Sequence, residues 1–167
     1  MINKSKMRRV DRKINSLKDI FSIIQKCNDC VISMNNGKYP YVVPMNFAPK
    51  QNKDNSISLY FHGANAGTKL NLIRKDPHVS FSMHCGTRFV KGPKACNSTM
   101  KYESVCGNGK VTILGEGKKD LEEKLEALGL ITRHFSPESK HKFTEREASS
   151  VAVYRLDVNE ISGKANL

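Results

Sequence analysis

Between Ser56 and Val79 the hydrophobic period of the chain changes twice. Ile57, Leu59 and Phe61 stand at every second position, the pattern of a strand with one buried face. The small residues of His62-Gly63-Ala64-Asn65-Ala66-Gly67 interrupt that alternation. From Thr68 to Arg74 the spacing becomes helical, carried by Leu70 and Ile73 with Leu72 flanking them. Asp76-Pro77 ends the predicted helix, because proline disfavours the helical conformation of the residue before it. A turn of small residues that opens a helix leaves main-chain N–H groups unpaired, an arrangement that suits an anion. Lys69 falls in the first turn. Two readings follow: an ordinary strand-to-helix connection with a surface lysine and a satisfied histidine, or a phosphate-holding turn with His62 at the strand end beside it.

The same patterning divides the rest of the chain. Residues 1–15 are polar and read as an arm. Leu17, Ile20, Phe21, Ile24 and Cys27 share one face of a predicted helix, with Ser16 and Asp19 as its capping pair. Cys30–Met34 predicts a strand, Asn35-Asn36-Gly37 a tight turn, and Tyr39–Phe47 the returning strand. Pro44 lies inside that second strand; proline cannot donate to a ladder, so this strand has an edge, a bulge or an opening. A polar loop is expected over Ala48–Asn55, a strand over Val79–Met83 and a long basic loop over His84–Ser98. Met100–Leu114 predicts a long strand or strand pair, with Gly107-Asn108-Gly109 marking a bulge. Leu121, Leu125, Leu128, Ile131 and Phe135 make the apolar stripe of a helix expected over Lys118–Phe135, with Lys124 among the charged residues opposite. Val151–Val158 is the last expected strand, followed by a polar tail. About six or seven strands arranged as hairpins, with few helices, predict a small antiparallel barrel with helices outside.

Composition narrows the function. A length of 167 residues is that of one domain. No apolar run is long enough to span a membrane as a helix, and the basic N-terminus is followed by no apolar segment of a secretory signal, so a cytoplasmic protein with reduced thiols is expected. The chain carries 28 Lys+Arg against 16 Asp+Glu, a formal +12. Residues 1–26 hold eight basic and two acidic residues, so +6 of that charge sits in the first helix and its arm. Such a field attracts anions: nucleic acid, phosphorylated cofactors or acidic partners. The aromatic interleaving of a base-stacking platform is missing, which speaks against nucleic acid. Cys27-Asn28-Asp29-Cys30 has the spacing of half a zinc site, but Cys85, Cys96 and Cys106 supply no second pair, so no metal is expected.

Several stretches together resemble one family. MRRVDRKI, then Gly37-Lys38-Tyr39-Pro40-Tyr41-Val42-Val43-Pro44-Met45-Asn46-Phe47, then Tyr60–Ala64 with Gly67, Lys69 and Leu70 are similar to the nitroimidazole-resistance proteins. Those belong to the pyridoxamine 5′-phosphate oxidase-like, FMN-binding split-barrel superfamily. The similarity continues through Cys96, Thr99–Val105, Gly107, Gly109, Tyr154–Asp157 and Ile161–Lys164, nearly the whole chain in order. The resemblance implies a mainly β fold, a six-stranded antiparallel split β-barrel that forms a homodimer with FMN at the interface. It implies that Val43, Pro44, Met45 and Asn46 line the isoalloxazine and that Phe61, His62, Gly63 and Ala64 flank the ribityl-phosphate. Lys69 would neutralise the phosphate, and Tyr102 and Ser104 would approach from the partner subunit. His62 matches a histidine implicated in the active site, NADH or NADPH is the implied electron donor, and a small nitroaromatic is the implied acceptor. The strand matching Tyr41–Asn46 lacks the arginine of the true pyridoxamine phosphate oxidases, and the chain has no Trp, so their own reaction is not expected. Readings outside the enzyme class are a flavin- or haem-holding protein without turnover, and a basic nucleic-acid-binding barrel.

Overall fold

The computed structural model of the protein describes residues 7–115 and 120–167. Its strands are β1 (Lys13–Ile14), β2 (Asp29–Met34), β3 (Tyr41–Gln51), β4 (Ile57–Gly63), β5 (His78–Val90), β6 (Thr99–Leu114) and β7 (Ala152–Asn166). Its helices are α1 (Leu17–Lys26), α2 (Thr68–Lys75), α3 (Leu121–Phe135) and α4 (Glu145–Ser149). All pairings are antiparallel. The strand order is β1-β7-β4-β3-β2-β5-β6, and β6 also pairs with β7. The six longer strands therefore close into a ring, with β1 added along β7.

Alternation builds the ring's interior. β2 and the first half of β5 bury every second residue, sending Ile32, Met34, Phe81 and Met83 inward to meet Phe47, Leu59, Phe61, Leu156 and Ile161. Ile20, Ile23 and Ile24 of α1 join this core. The helix starts where expected, with Ser16 accepting from the Asp19 N–H. A second core lies outside the ring, where Ala48, Tyr60, Leu114 and Val153 meet Ala127, Leu128 and Ile131 of α3. One carboxylate fixes α3 there: Glu123 accepts from Tyr60 Oη at 2.9 Å and from Arg155 Nη1 at 2.7 Å to each oxygen. The pair is only about one-third exposed, so it is better shielded from water than a surface ion pair.

The ladders run further than side-chain polarity predicts. β3 continues to Gln51, β5 continues to Val90 and β7 continues to Asn166. The expected loop after Phe47 shrinks accordingly, much of the expected basic loop is strand, and the expected polar tail is strand. Main-chain hydrogen bonds carry these extensions: Pro49–Gln51 pair with Ile57–Leu59, Arg88–Val90 with Thr99–Lys101, and Ser162–Asn166 with Tyr102–Cys106. A kink between Cys85 and Arg88, with Gly86 at φ +62, lets β5 resume. The arm is not featureless either, since Val10–Arg12 form a 3₁₀ turn and Lys13–Ile14 pair with β7. The first residues of that arm, and the expected helical start at Lys118, lie outside the described residues. Lys124 is on the buried face of α3 rather than opposite it, and α4, capped by Thr144 and Glu147, had no apolar period to reveal it.

The bulge is where the sequence placed it, as a register shift between Asn108 and Gly109 in β6. A Cβ at Gly109 would stand 2.2 Å from the Asp157 carbonyl oxygen. We expect Gly109→Ala to destabilise the fold by about 1–3 kcal/mol, the range for forcing atoms into a packed site. Urea unfolding measures it, with exposed Lys110→Ala as the control; matching midpoints would refute the close approach as a constraint.

Candidate functional site

One neighbouring pair in the ring is only half joined. β3 pairs with β4 from Gln51↔Ile57 to Phe47↔Phe61 and no further. Yet β3 runs on to Tyr41 along β2, and β4 runs on to Gly63 along β7. The two strands thus part beyond Phe47 and Phe61, and the main-chain edges of Tyr41–Asn46 and of His62–Gly63 border an open seam. Pro44 lies in this half-paired part, in regular register with Val31 on its other side. A residue without an N–H is tolerated at such an edge.

Strand parity sorts the candidate residues by face. Met45 is buried, and Val43 packs partly buried against the interior core. Pro44 and Asn46 are exposed, and the Asn46 side chain donates to the Asn28 carbonyl at 3.1 Å. Phe61 is buried in the core and His62 points to the opposite, exposed face. Ala64 is exposed in the turn.

That turn is built as the small residues predict. Gly67 has φ 129 and ψ 174, in the glycine-favouring region, and α2 starts after it with no side-chain cap. Lys69 then reaches back from the first helical turn to the seam. Its Nζ lies 3.4 Å from Met45 Sδ and 5.3 Å from the centre of the Tyr154 ring. A Cβ at Gly63 would come within 2.9 Å of that ammonium, so glycine makes the room. A thioether and a ring face are weak partners for a cation. Burial lowers the Lys69 pKa. Beside it, Tyr154 Oη is buried without a hydrogen-bond partner, and burial raises its pKa. Tyr154 is the site residue that strand patterning missed: its position is that of any core aromatic, and only the tertiary contact with Lys69 marks it.

His62 addresses a different space. On the outer face of β4 it heads a cavity of about 270 Å³ that Leu128, Ile131 and Thr132 of α3 line together with Phe143, Glu147 and Val151. Burial against these groups, then the charge of Lys69, lowers the His62 pKa. The imidazole is thereby kept towards its neutral form, in which one nitrogen donates and the other accepts.

Tyr102 and Ser104 are not brought to the seam of their own chain. They lie on β6, three strands from β3 in either direction round the ring. Ser104 Oγ donates to the Lys164 carbonyl at 3.3 Å. A hydrogen bond with Arg12, then the nearby Lys164, lowers the Tyr102 pKa. Cys27 and Cys30 are both free and buried; Cys27 Sγ donates to the Ile23 carbonyl at 3.3 Å, and burial pushes its thiol up to about 12.

Comparison with known proteins places this geometry in a family. The family model described as pyridoxamine 5′-phosphate oxidase matches residues 16–165. Three solved structures share the fold. A candidate 5-nitroimidazole antibiotic resistance protein from Bacteroides thetaiotaomicron is 28% identical, with TM-score 0.76 over 92% of this chain and 86% of that one. An FAD and haem binding protein from Mycobacterium smegmatis is 15% identical, with TM-score 0.79 over 93% and 73%. A flavocytochrome from Azotobacter vinelandii is 17% identical, with TM-score 0.76 over 97% and 72%. No curated protein sequence matches. The chain belongs to the pyridoxamine 5′-phosphate oxidase family. Among the described residues, no helix is long and apolar enough to cross a membrane.

Because the Lys69 charge is one of two causes depressing the His62 pKa, Lys69→Met is expected to raise that pKa part of the way back to its ordinary value. Histidine ring signals followed by NMR across pH 5–8 give the readout. An unmoved His62 would mean that the ammonium is not felt through the strand.

Proposed function

We propose that this protein is a flavoprotein that holds FMN at the β3–β4 seam and passes its electrons to a small acceptor of the nitroaromatic class. The observation that carries this reading is the seam itself. An unpaired strand edge, a half-buried ammonium with no carboxylate among the described residues and an orphaned tyrosine hydroxyl converge there, and they fit a ligand with a flat polar rim and an anionic tail. Lys69, with the uncapped N–H groups that open α2, would take the phosphate. The edge from Val43 to Asn46 would offer main-chain groups and the Asn46 amide to the ring system. Gly63 and Ala64 are small enough to let it approach. When bound, the flavin supplies the two-electron chemistry, accepting from NADH or NADPH. His62, held near neutrality, would exchange a proton with the acceptor. A homodimer would bring Tyr102 and Ser104 of one chain to the seam of the other, completing the site from a surface the single chain leaves away from it. The likeness to a candidate nitroimidazole resistance protein supports the choice of acceptor.

The fold relatives that hold FAD, haem or both favour a second reading, a flavin or haem carrier without turnover. The absorbance spectrum of the purified protein separates the two. Flavin bands, with FMN as the mass released on denaturation, are expected, together with oxidation of NADH or NADPH when a nitroimidazole is added. A Soret band, or a flavin that no acceptor can cycle, would favour the carrier. A colourless protein that FMN cannot reconstitute would overturn both. Lys69→Ala should weaken FMN binding roughly tenfold or more, the value of one charge-assisted hydrogen bond; fluorescence titration reads it.

A further inference from the structure

Spacing along the chain pairs Cys27 with Cys30, but the fold gives Cys27 a different neighbour. Cys27 is the C-terminal cap of α1 and is buried. Its carbonyl accepts a hydrogen bond from His134 Nε2 at 3.1 Å, and the next carbonyl, that of Asn28, accepts one from the Asn46 amide. The backbone that carries the Cys27 thiol is thus pinned. Cys30 is turned into the core, where its Sγ meets the Val31 carbonyl at 4.0 Å. The thiol that hydrogen-bonds with Cys27 is Cys85 of β5.

Side-chain contacts place the two sulfurs together. α1 packs against β5, and Cys85 packs against the interior core that contains Cys27. Cys85 Sγ lies 4.0 Å from Glu103 Oε2, and Lys26, the residue before Cys27, donates to the same oxygen at 3.0 Å. The hydrogen bond with Glu103, and then the charges of Glu103, Cys85 and Cys27, raise the Lys26 pKa, so both sulfurs lie within reach of its field. Among the described residues no group of three or more His, Cys, Asp or Glu side chains is placed to hold a metal ion. The chemistry left to the cluster is that of two thiols. They differ as a stepwise oxidation requires: Cys85 is partly exposed and Cys27 is buried. Burial, and then the charge of Cys85, raise the Cys27 pKa, which keeps that thiol inert towards an oxidant arriving from solvent. Beside Cys85, the Glu103 carboxylate can take the thiol proton while the Lys26 ammonium offsets the charge of the thiolate. The backbone has slack at the same place. Cys85 is the last residue of β5 paired before the register shift, and Gly86 follows it at φ +62. A disulfide needs β-carbons about 3.5–4.5 Å apart, and a strand that leaves its ladder at the next residue can shift to meet that spacing.

We propose that Cys27 and Cys85 form a redox-active pair, a site at which a peroxide closes a disulfide between the end of α1 and β5. The Cys85 thiolate attacks one peroxide oxygen and the O–O bond breaks. Cys85 becomes a sulfenic acid, and the other oxygen leaves as water with the proton that Cys85 gave up. Cys27 then attacks the Cys85 sulfur, the S–O bond breaks, and the hydroxyl leaves as a second water with the Cys27 proton. The two thiols lose two electrons in all, and the peroxide gains them. Neither sulfur belongs to the proposed flavin site, so the pair does not depend on the flavin reading.

The test treats the purified full-length chain with a slight excess of hydrogen peroxide, removes the peroxide, and blocks the remaining thiols with iodoacetamide in urea. The products are mapped by mass spectrometry without reduction. Trypsin together with a protease that cuts before aspartate separates Cys27 from Cys30, because Asp29 lies between them. The expected product is Cys27-Asn28 joined to the peptide Asp76–Arg88, and dithiothreitol should release it. The same oxidation carried out in urea is the comparison. In an unfolded chain the short Cys27–Cys30 loop closes more readily than the long Cys27–Cys85 loop, so unfolding should transfer the link from Cys85 to Cys30. Cys85→Ser should abolish the native link, and Cys30→Ser should leave it. Cys27→Ser should leave Cys85 as a sulfenic acid that dimedone traps. A native chain that links Cys27 to Cys30, or that gives the same links folded and unfolded, overturns the proposal. So does one that oxidises the exposed Cys96 and Cys106 while Cys27 and Cys85 remain free to alkylate. The wild-type map decides even if a serine variant fails to fold.

Discussion

A closed ring of strands has no edges only if every neighbouring pair is joined along its length, and here β3 and β4 are joined over half of it. The remainder of the molecule is arranged so that the ring survives this opening. β6 and β7 are paired from Tyr102↔Asn166 to Leu114↔Val153, and β5 and β6 from His78↔Lys110 to Val90↔Thr99. These long ladders carry closure on the side opposite the seam. α3 clamps the joined half of β3 and β4 from outside, through Ala48, Tyr60 and the Glu123 carboxylate. Unpaired main chain is costly when buried but tolerable when a ligand or water can reach it, so the opening gives up ladder hydrogen bonds and leaves a main-chain edge accessible.

The charges near the seam follow the same logic. Lys69 has a thioether and a ring face where a carboxylate would have stabilised it, and His62 is pushed towards neutrality by burial and by that lysine. A carboxylate at either position would make the resting fold more stable and would repel an anion. Unsatisfied cations among apolar groups are preorganised for negative charge, because nothing must first be displaced.

Much of this was legible in the sequence, for physical reasons that can be named. The turn after Phe61, the helix over Thr68–Lys75 and its stop at Asp76 rest on local chemistry: glycine's freedom, helical spacing and proline's constraint. Pro44 announced an opened strand, and Gly107-Asn108-Gly109 announced the bulge. The misread segments share one cause. Arg88–Val90 and Ser162–Asn166 owe their strand state to partners distant in sequence, and main-chain ladders are indifferent to side-chain polarity. Lys124 was misread for the converse reason. Periodicity places an ion on the solvent face by default, and only the packed structure shows a helix burying one.

The least legible property was which face each site residue takes. In the sequence His62 and Lys69 are close and invite a single constellation, the histidine beside the phosphate. Strand parity forbids that simple arrangement. Phe61 is inward, so His62 is outward, while Lys69 returns to the inner side through the space that Gly63 leaves. The two groups therefore address opposite sides of the end of β4 and interact through its thickness as charges rather than as hydrogen-bonded partners. An anionic tail held by Lys69 and a proton exchanged by His62 can then belong to one ligand only if that ligand passes through or around the end of the strand. The unjoined part of the β3–β4 pair leaves such a passage at that end of β4. The half-finished pairing of β3 with β4 is thus a condition for the two residues to act together.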